Sequence, residues 1–293
     1  MSVSMAVTRA LLRLTPTATA TEQSTRRKAE SGLNAAEIPS SVRRVAHVQR
    51  REIAGCTVVD LAPKRPTGGA HLIYLHGGAY VFPLVAAHWS IVGALLRGSG
   101  ASVTVPLYGL APAHGVAEAY ALVDTLYAEA AARHERVYLA GDSAGGGLAL
   151  GQAMRVRDDA CTPPAGVILF SPWVDATMRN PDVAGLEPLD RMIAPAGLAA
   201  AARWWAGDVG VDSPLVSPLF GDLAGLPPVS AHQGDHDILY ADAVLLHEKL
   251  LAAGGRSTLD VYPGAFHDFV GAPWTPEARL ALKRAAAVLS TAG

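Results

Sequence analysis

The stretch RVYLAGDSAGGGLAL, residues 136–150, decides how the rest of the chain is read. Arg136 to Ala140 is a compact β-type run, and Ala144 to Arg157 reads as a helix. Between them stands Gly141-Asp142-Ser143-Ala144-Gly145, which puts a serine at a strand-to-helix corner. Flanking glycines let the backbone crowd together at such a corner. The corner would hold the hydroxyl above a sheet, at a helix N-terminus whose dipole favours negative charge.

Outward from this corner the chain alternates. Val48 to Ile53 and Cys56 to Leu61 are split by Gly55 and suggest a hairpin. Strands are expected at His71–Leu75, Ser102–Val105, Gly166–Phe170, Val229–His232 and Ser257–Tyr262. Helices are expected at Ala86–Arg97, Val116–Arg133, Leu239–Ala253 and Pro276–Ser290. Strands alternating with long helices predict an α/β architecture with a mainly parallel sheet, covered on both faces and antiparallel at the hairpin edge. Between Phe170 and Val229 the rhythm breaks into a proline-rich segment with one helical run, Ala196 to Trp205. A segment this long predicts a functional lid. The first residues carry Val3, Val7, Leu11 and Leu14 at helical spacing, which predicts an amphipathic helix packed on the rest of the protein.

Composition limits the function. The 293 residues are 50% hydrophobic and 17% charged, enough for a large core and too apolar for a disordered chain. Lys and Arg number 24 against 26 Asp and Glu, for a net charge of -2, so no global basic field points to nucleic acid. The uncharged run from Pro66 to Leu96 is interrupted by Gly77, Gly78 and Pro83, so no membrane span is expected. Cys56 and Cys161 can build neither a disulfide framework nor a four-thiolate zinc site; they are read as reduced thiols of a cytoplasmic chain.

The chemistry-bearing residues fall into an order. Gly-x-Ser-x-Gly in a strand–turn–helix context is a nucleophile elbow, with Ser143 as nucleophile. His76-Gly77-Gly78-Ala79-Tyr80 follows an earlier strand, where backbone N–H groups can meet a developing oxyanion. The expected donors are Gly77, Gly78 and Ala144. The base should follow a late strand, and His267 does, after Ser257–Tyr262 and a turn at Pro263-Gly264. Its acid should follow Val229–His232; Asp237 is best placed and Asp235 competes. His232, Asp235, His236 and Asp237 also cluster, but adjacent loop residues rarely ligate one ion, so no metal is expected. Tyr80, Phe82, Leu198, Trp204 and Trp205 are candidates for an apolar substrate pocket.

Several further motifs agree in order: Tyr108-Gly-Leu-Ala-Pro112, Gly-Asp-Ser-Ala-Gly-Gly at 141–146, Ser171-Pro-Trp173 and Phe266-His267. Together with the stretch at 76–80 they resemble the bacterial hormone-sensitive-lipase-like family of α/β-hydrolases. The chain departs from that family's tyrosine motif at Gly109 and Ala113, where an arginine and an acidic residue are usual. The resemblance implies an α/β-hydrolase fold with a helical cap. It divides the chain into cap helices at 1–44, core at 45–173, a cap insertion at 174–212 and core again at 213–293. It implies a serine carboxylesterase acting on small-molecule, short-acyl esters with no metal or organic cofactor, and it allows a homodimer. Amide or lactone hydrolysis on the same triad is the neighbouring alternative. A ligand-binding protein that has lost the chemistry is another, but Ser143, Asp237 and His267 are all present.

Overall fold

A computed structural model describes residues 1–290. Its strands are β1 (Ala46–Ile53), β2 (Cys56–Pro63), β3 (Ala70–Leu75), β4 (Ser102–Pro106), β5 (Arg136–Asp142), β6 (Gly166–Phe170), β7 (Val229–His236) and β8 (Ser257–Phe266). Its α-helices are α1 (Val3–Leu12), α2 (Glu22–Ala29), α3 (Ser40–Arg43), α4 (Ala86–Ser99), α5 (Val116–Ala131), α6 (Ser143–Asp158), α7 (Val183–Leu186), α8 (Pro195–Ala206), α9 (Tyr240–Ala252) and α10 (Pro276–Ser290). The strands form one sheet in the order β1-β2-β4-β3-β5-β6-β7-β8. Strand β2 is antiparallel to both neighbours, and every pair from β4 to β8 is parallel.

Alternation along the strands builds two cores. In β3, Ile73 and Leu75 point into the layer that holds α5, α6 and α9. Leu72 and Tyr74 point into the other layer, with α4 and α10. All of β3 is therefore buried, as a parallel strand covered on both faces must be.

The corner at Ser143 is the tightest part of the fold. Ser143 has φ +50°, in the left-handed region. A Cβ on Gly145 would stand 2.0 Å from the Leu75 carbonyl oxygen, so only glycine lets α6 press this close to β3. The same corner drives the Asp142 side chain beneath the loop after β3. Asp142 is fully buried. It accepts hydrogen bonds from Tyr74 Oη and from the Gly77 N–H at 3.0 Å. His88 Nε2 lies 3.1 Å from the same carboxylate. His88 Nδ1 accepts from the Val85 N–H, so Nε2 carries the proton and donates. Burial alone would raise the Asp142 pKa; His88 and Tyr74 outweigh it and hold the carboxylate below its ordinary range.

Three expectations change here. Strands β7 and β8 run past His232 and Tyr262, because their pairing shifts register between Gly234 and His236 and bends instead of ending. Pro263 and Gly264 therefore lie within β8 and are not a turn after it. The apolar stripe of α1 faces outward. Met5, on the opposite side, is the residue that α1 buries, against the layer containing Ala278 and Tyr262. Ser2 pins that orientation by capping the helix and donating to Glu277.

Residues after α1 and the segment around α8 pack on each other at the C-terminal ends of the strands. Ala194 N–H donates to Thr19 Oγ1 at 2.7 Å, and Gly197 N–H donates to the Thr19 carbonyl at 3.1 Å. Arg203 pairs with Glu22 at 2.8 Å.

The clamp at Asp142 predicts a stability loss. Asp142→Ala leaves three buried donors without an acceptor, each worth about 1–3 kcal/mol. Urea unfolding should show at least ~3 kcal/mol lost. A loss below ~1 kcal/mol would mean that the clamp does not hold the loop.

Candidate active site

The elbow, the end of β8 and the loop after β7 converge on one point. Ser143 Oγ lies 3.0 Å from His267 Nε2, and His267 Nδ1 lies 3.0 Å from Asp237 Oδ2. All three side chains are buried. A carboxylate only accepts, so Nδ1 carries a proton, and in the neutral imidazole Nε2 is the nitrogen that accepts from the serine hydroxyl. Asp237 is held in turn by Gln233 Nε2 at 2.8 Å and by the Leu239 N–H at 2.9 Å. Asp235 is placed elsewhere: its Oδ1 accepts from the Gly264 N–H at 2.5 Å. His232 faces Tyr262 and Asp260, away from both. His236 Nε2 lies 3.9 Å from Asp235 Oδ1, while His232 and Asp237 each turn to a different partner.

The loop after β3 supplies the opposite wall. Gly77 was expected to offer an oxyanion donor, but its N–H is spent on Asp142 and it does not line the cavity over Ser143. Gly78 and Ala79 line it instead, and among the described residues neither N–H has another partner. Both have positive φ, +114° at Gly78 and +53° at Ala79. A Cβ on Gly78 would meet the Phe82 carbonyl at 2.5 Å. Ala144, in the first turn of α6, has an N–H without an intrahelical partner. His76 braces this loop. Its ring stacks on Tyr108 at 4.4 Å, and Tyr108 Oη donates to the His76 carbonyl at 2.6 Å.

The cavity above Ser143 measures about 350 Å³. Gly78, Ala79, His267 and Asp268 line it along with Thr19, Lys28, Met192 and Leu198. Phe82 also lines it, under the Lys28 ammonium at 4.7 Å. Tyr80, Trp204 and Trp205 do not line it, against expectation. The paired positive φ at Ala79 and Tyr80 turns the tyrosine back into the core, where it stacks on Trp205 at 4.4 Å. Trp205 lies seven residues beyond Leu198 on α8, about 10 Å along the axis, too far to reach the same space. Trp204 sits on the outer side, beside residues 112–118.

Two carboxyl groups at the site carry no motif and were missed. Asp268 Oδ2 lies 3.3 Å from His267 Nε2, on the cavity side. Burial raises Asp268 well above the ordinary carboxylate range, and the charges of Asp142 and Asp237 add to this against the pull of His267. Asp190 accepts from the Met192, Ile193 and Ile238 N–H groups and so ties the segment before α8 to the loop after β7. Burial, then the Asp237 charge, pushes Asp190 up to about 6. Burial alone would lower the His267 imidazole; Asp268 and Asp237 outweigh it and raise it to about 10.

This geometry has relatives. A family model described as alpha/beta hydrolase fold matches residues 72–271. An acetyl-hydrolase of Streptomyces hygroscopicus is 33% identical over 245 residues, 82% of this chain and 81% of the relative. A triacylglycerol lipase of Mycobacterium tuberculosis is 32% identical over 231 residues, 78% of this chain; the match spans 48% of that longer relative. The crystal structure of a hormone-sensitive lipase from a metagenome library superposes with a TM-score of 0.82 at 26% identity, covering 98% of each chain. Among the described residues no helix is long and apolar enough to cross a membrane. The chain belongs to the hormone-sensitive-lipase-like family of α/β-hydrolases and is by that membership a carboxylic ester hydrolase.

Proposed function

We propose that this chain hydrolyses short-acyl carboxylic esters through an acyl-enzyme on Ser143. The observation that carries the reading is the continuous line from Ser143 Oγ through His267 to Asp237, opening onto a cavity walled by Gly78 and Ala79. His267 takes the serine proton as Oγ attacks the acyl carbon. Asp237 fixes the imidazole tautomer and stabilises the imidazolium. The carbonyl oxygen becomes an oxyanion on the N–H groups of Gly78, Ala79 and Ala144, which need no rearrangement to meet it. His267 then protonates the leaving alcohol, and water repeats the sequence on the acyl-enzyme. Residues 1–44 and 174–212 act as the cap that roofs the cavity.

The short-acyl part rests on size and kinship. A volume of about 350 Å³ lies at the small end for ligand sites. The Streptomyces relative carries the name acetyl-hydrolase.

Steady-state kinetics on chromogenic acetate and butyrate esters test this reading. Ser143→Ala should lower kcat by about 10⁴-fold or more with unchanged circular dichroism. A variant that keeps most of its activity would refute the nucleophile. The pH profile tests the electrostatics. His267 must be neutral to accept a proton, and a raised pKa holds it protonated to higher pH. Removing the neighbouring carboxyl should lower that pKa. Asp268→Asn should therefore shift the acidic limb of kcat/KM to lower pH by about one unit or more. An unmoved limb, or one displaced to higher pH, contradicts the role given to Asp268.

A further inference from the structure

We propose that Asp190 is a positioning residue that couples the wall of the cavity to the triad carboxylate, so that Asp237 is held in register with His267 only while residues 190–193 are seated. The proposal rests on the ester hydrolysis read above from Ser143, His267 and Asp237.

The Asp190 carboxylate bridges two segments that are distant in sequence. Its Oδ1 accepts from the Met192 N–H at 2.7 Å and from the Ile193 N–H at 3.1 Å. Its Oδ2 accepts from the Ile238 N–H at 3.1 Å. Met192 and Ile193 line the cavity above Ser143. The Met192 carbonyl in turn accepts from the Ala18 N–H at 2.9 Å, so the chain after α1 leans on the same point. On the other side, Ile238 directly follows Asp237. The next N–H, of Leu239, donates to Asp237 Oδ1. The two N–H groups after Asp237 are therefore each held by a carboxylate, one reaching in from residue 190 and one from Asp237 itself. Rotation of the peptide between residues 237 and 238 would tilt the Asp237 carboxylate against His267 Nδ1.

A turn cap alone does not call for an acid at this place. Asp190 is 4% exposed, and among the described residues no lysine or arginine pairs with it. The charges that face it are Asp237, which is like, and His267, which opposes. Burying one carboxylate beside another costs free energy. An asparagine would close the turn at 190–193 without that charge. It has a single acceptor oxygen, whereas a carboxylate has one for each side of the bridge.

Asp190→Asn therefore cuts one side. The amide oxygen stays with the two donors of Met192 and Ile193, and the amide nitrogen, which only donates, faces the Ile238 N–H. Kinetics on a chromogenic acetate ester and proton NMR of the full chain test the consequence. The substitution should lower kcat about tenfold or more while KM stays within about twofold, because binding is kept and alignment is lost. The far-downfield resonance of the His267 Nδ1 proton, bonded to Asp237, should shift or broaden in the variant. A loss of stability alone moves neither quantity in the folded chain. Unchanged kcat with that resonance in place overturns the proposal, and so does a change confined to KM. If the unsubstituted chain shows neither turnover nor the resonance, the triad reading fails and this proposal fails with it.

A second measurement needs no variant, which keeps the test open if Asp190→Asn does not fold. Ethyl p-nitrophenyl methylphosphonate and its butylphosphonate counterpart leave the same bonds on Ser143 and differ in tail length. The longer tail presses on the cavity wall, and the backbone amide resonances of Met192, Ile193 and Ile238 should move together. Movement at Met192 and Ile193 without Ile238, or at none of the three, overturns the proposal.

Discussion

The close approach of α6 to β3 governs the molecule. Gly145 has no room for a side chain against the Leu75 carbonyl, and Ser143 accepts a left-handed φ to make the corner. That contact aims the serine hydroxyl over the ends of the parallel strands. It also sends Asp142 to the other side, under the loop that carries Gly77, Gly78 and Ala79. One backbone constraint therefore sets both the serine and the wall that faces it. Strain at this corner persists because the two cores on either side of the sheet leave it no way to relax.

Around that corner the structure concentrates negative charge. Asp142, Asp190, Asp237 and Asp268 all act on one another or on the His267 imidazole. Asp142 stays charged because three donors converge on it. Asp190 and Asp268 are pushed up by burial and by their neighbours, which opposes charging all four carboxyls at once. An imidazolium forming at His267 would meet this field as a stabilising one. The same field resists loss of its proton. The placement of Asp268 on the Nε2 side is the feature that sets this balance apart from a serine, imidazole and single acid acting alone.

The elements were legible in sequence where a local pattern has one physical outcome. The buried run at β3, the helix Pro276–Ser290 and the serine corner are such cases. The imidazole was legible because chain order leaves His267 after a late strand. Asp237 and Asp235 could be separated only by tertiary contact, since what diverts Asp235 is the Gly264 N–H, far along the chain. Gly77 misled because its donor looks free until Asp142 is placed beneath it. Trp204 and Trp205 misled because aromatic content marks cores as readily as pockets, and Trp205 fills the core on Tyr80. Asp190 and Asp268 have no motif; a carboxylate beside a candidate imidazole was the one available signal for Asp268. The periodicity of α1 was read correctly as amphipathic, but periodicity does not say which way a stripe faces.

Covalent labelling probes the central claim most directly. The folded chain is treated with a serine-directed phosphonate ester, digested and read by tandem mass spectrometry. The account predicts one adduct, on Ser143, formed in step with loss of esterase activity. An inhibited enzyme labelled at a different residue, or a chain that turns over esters yet takes up no label, would contradict it.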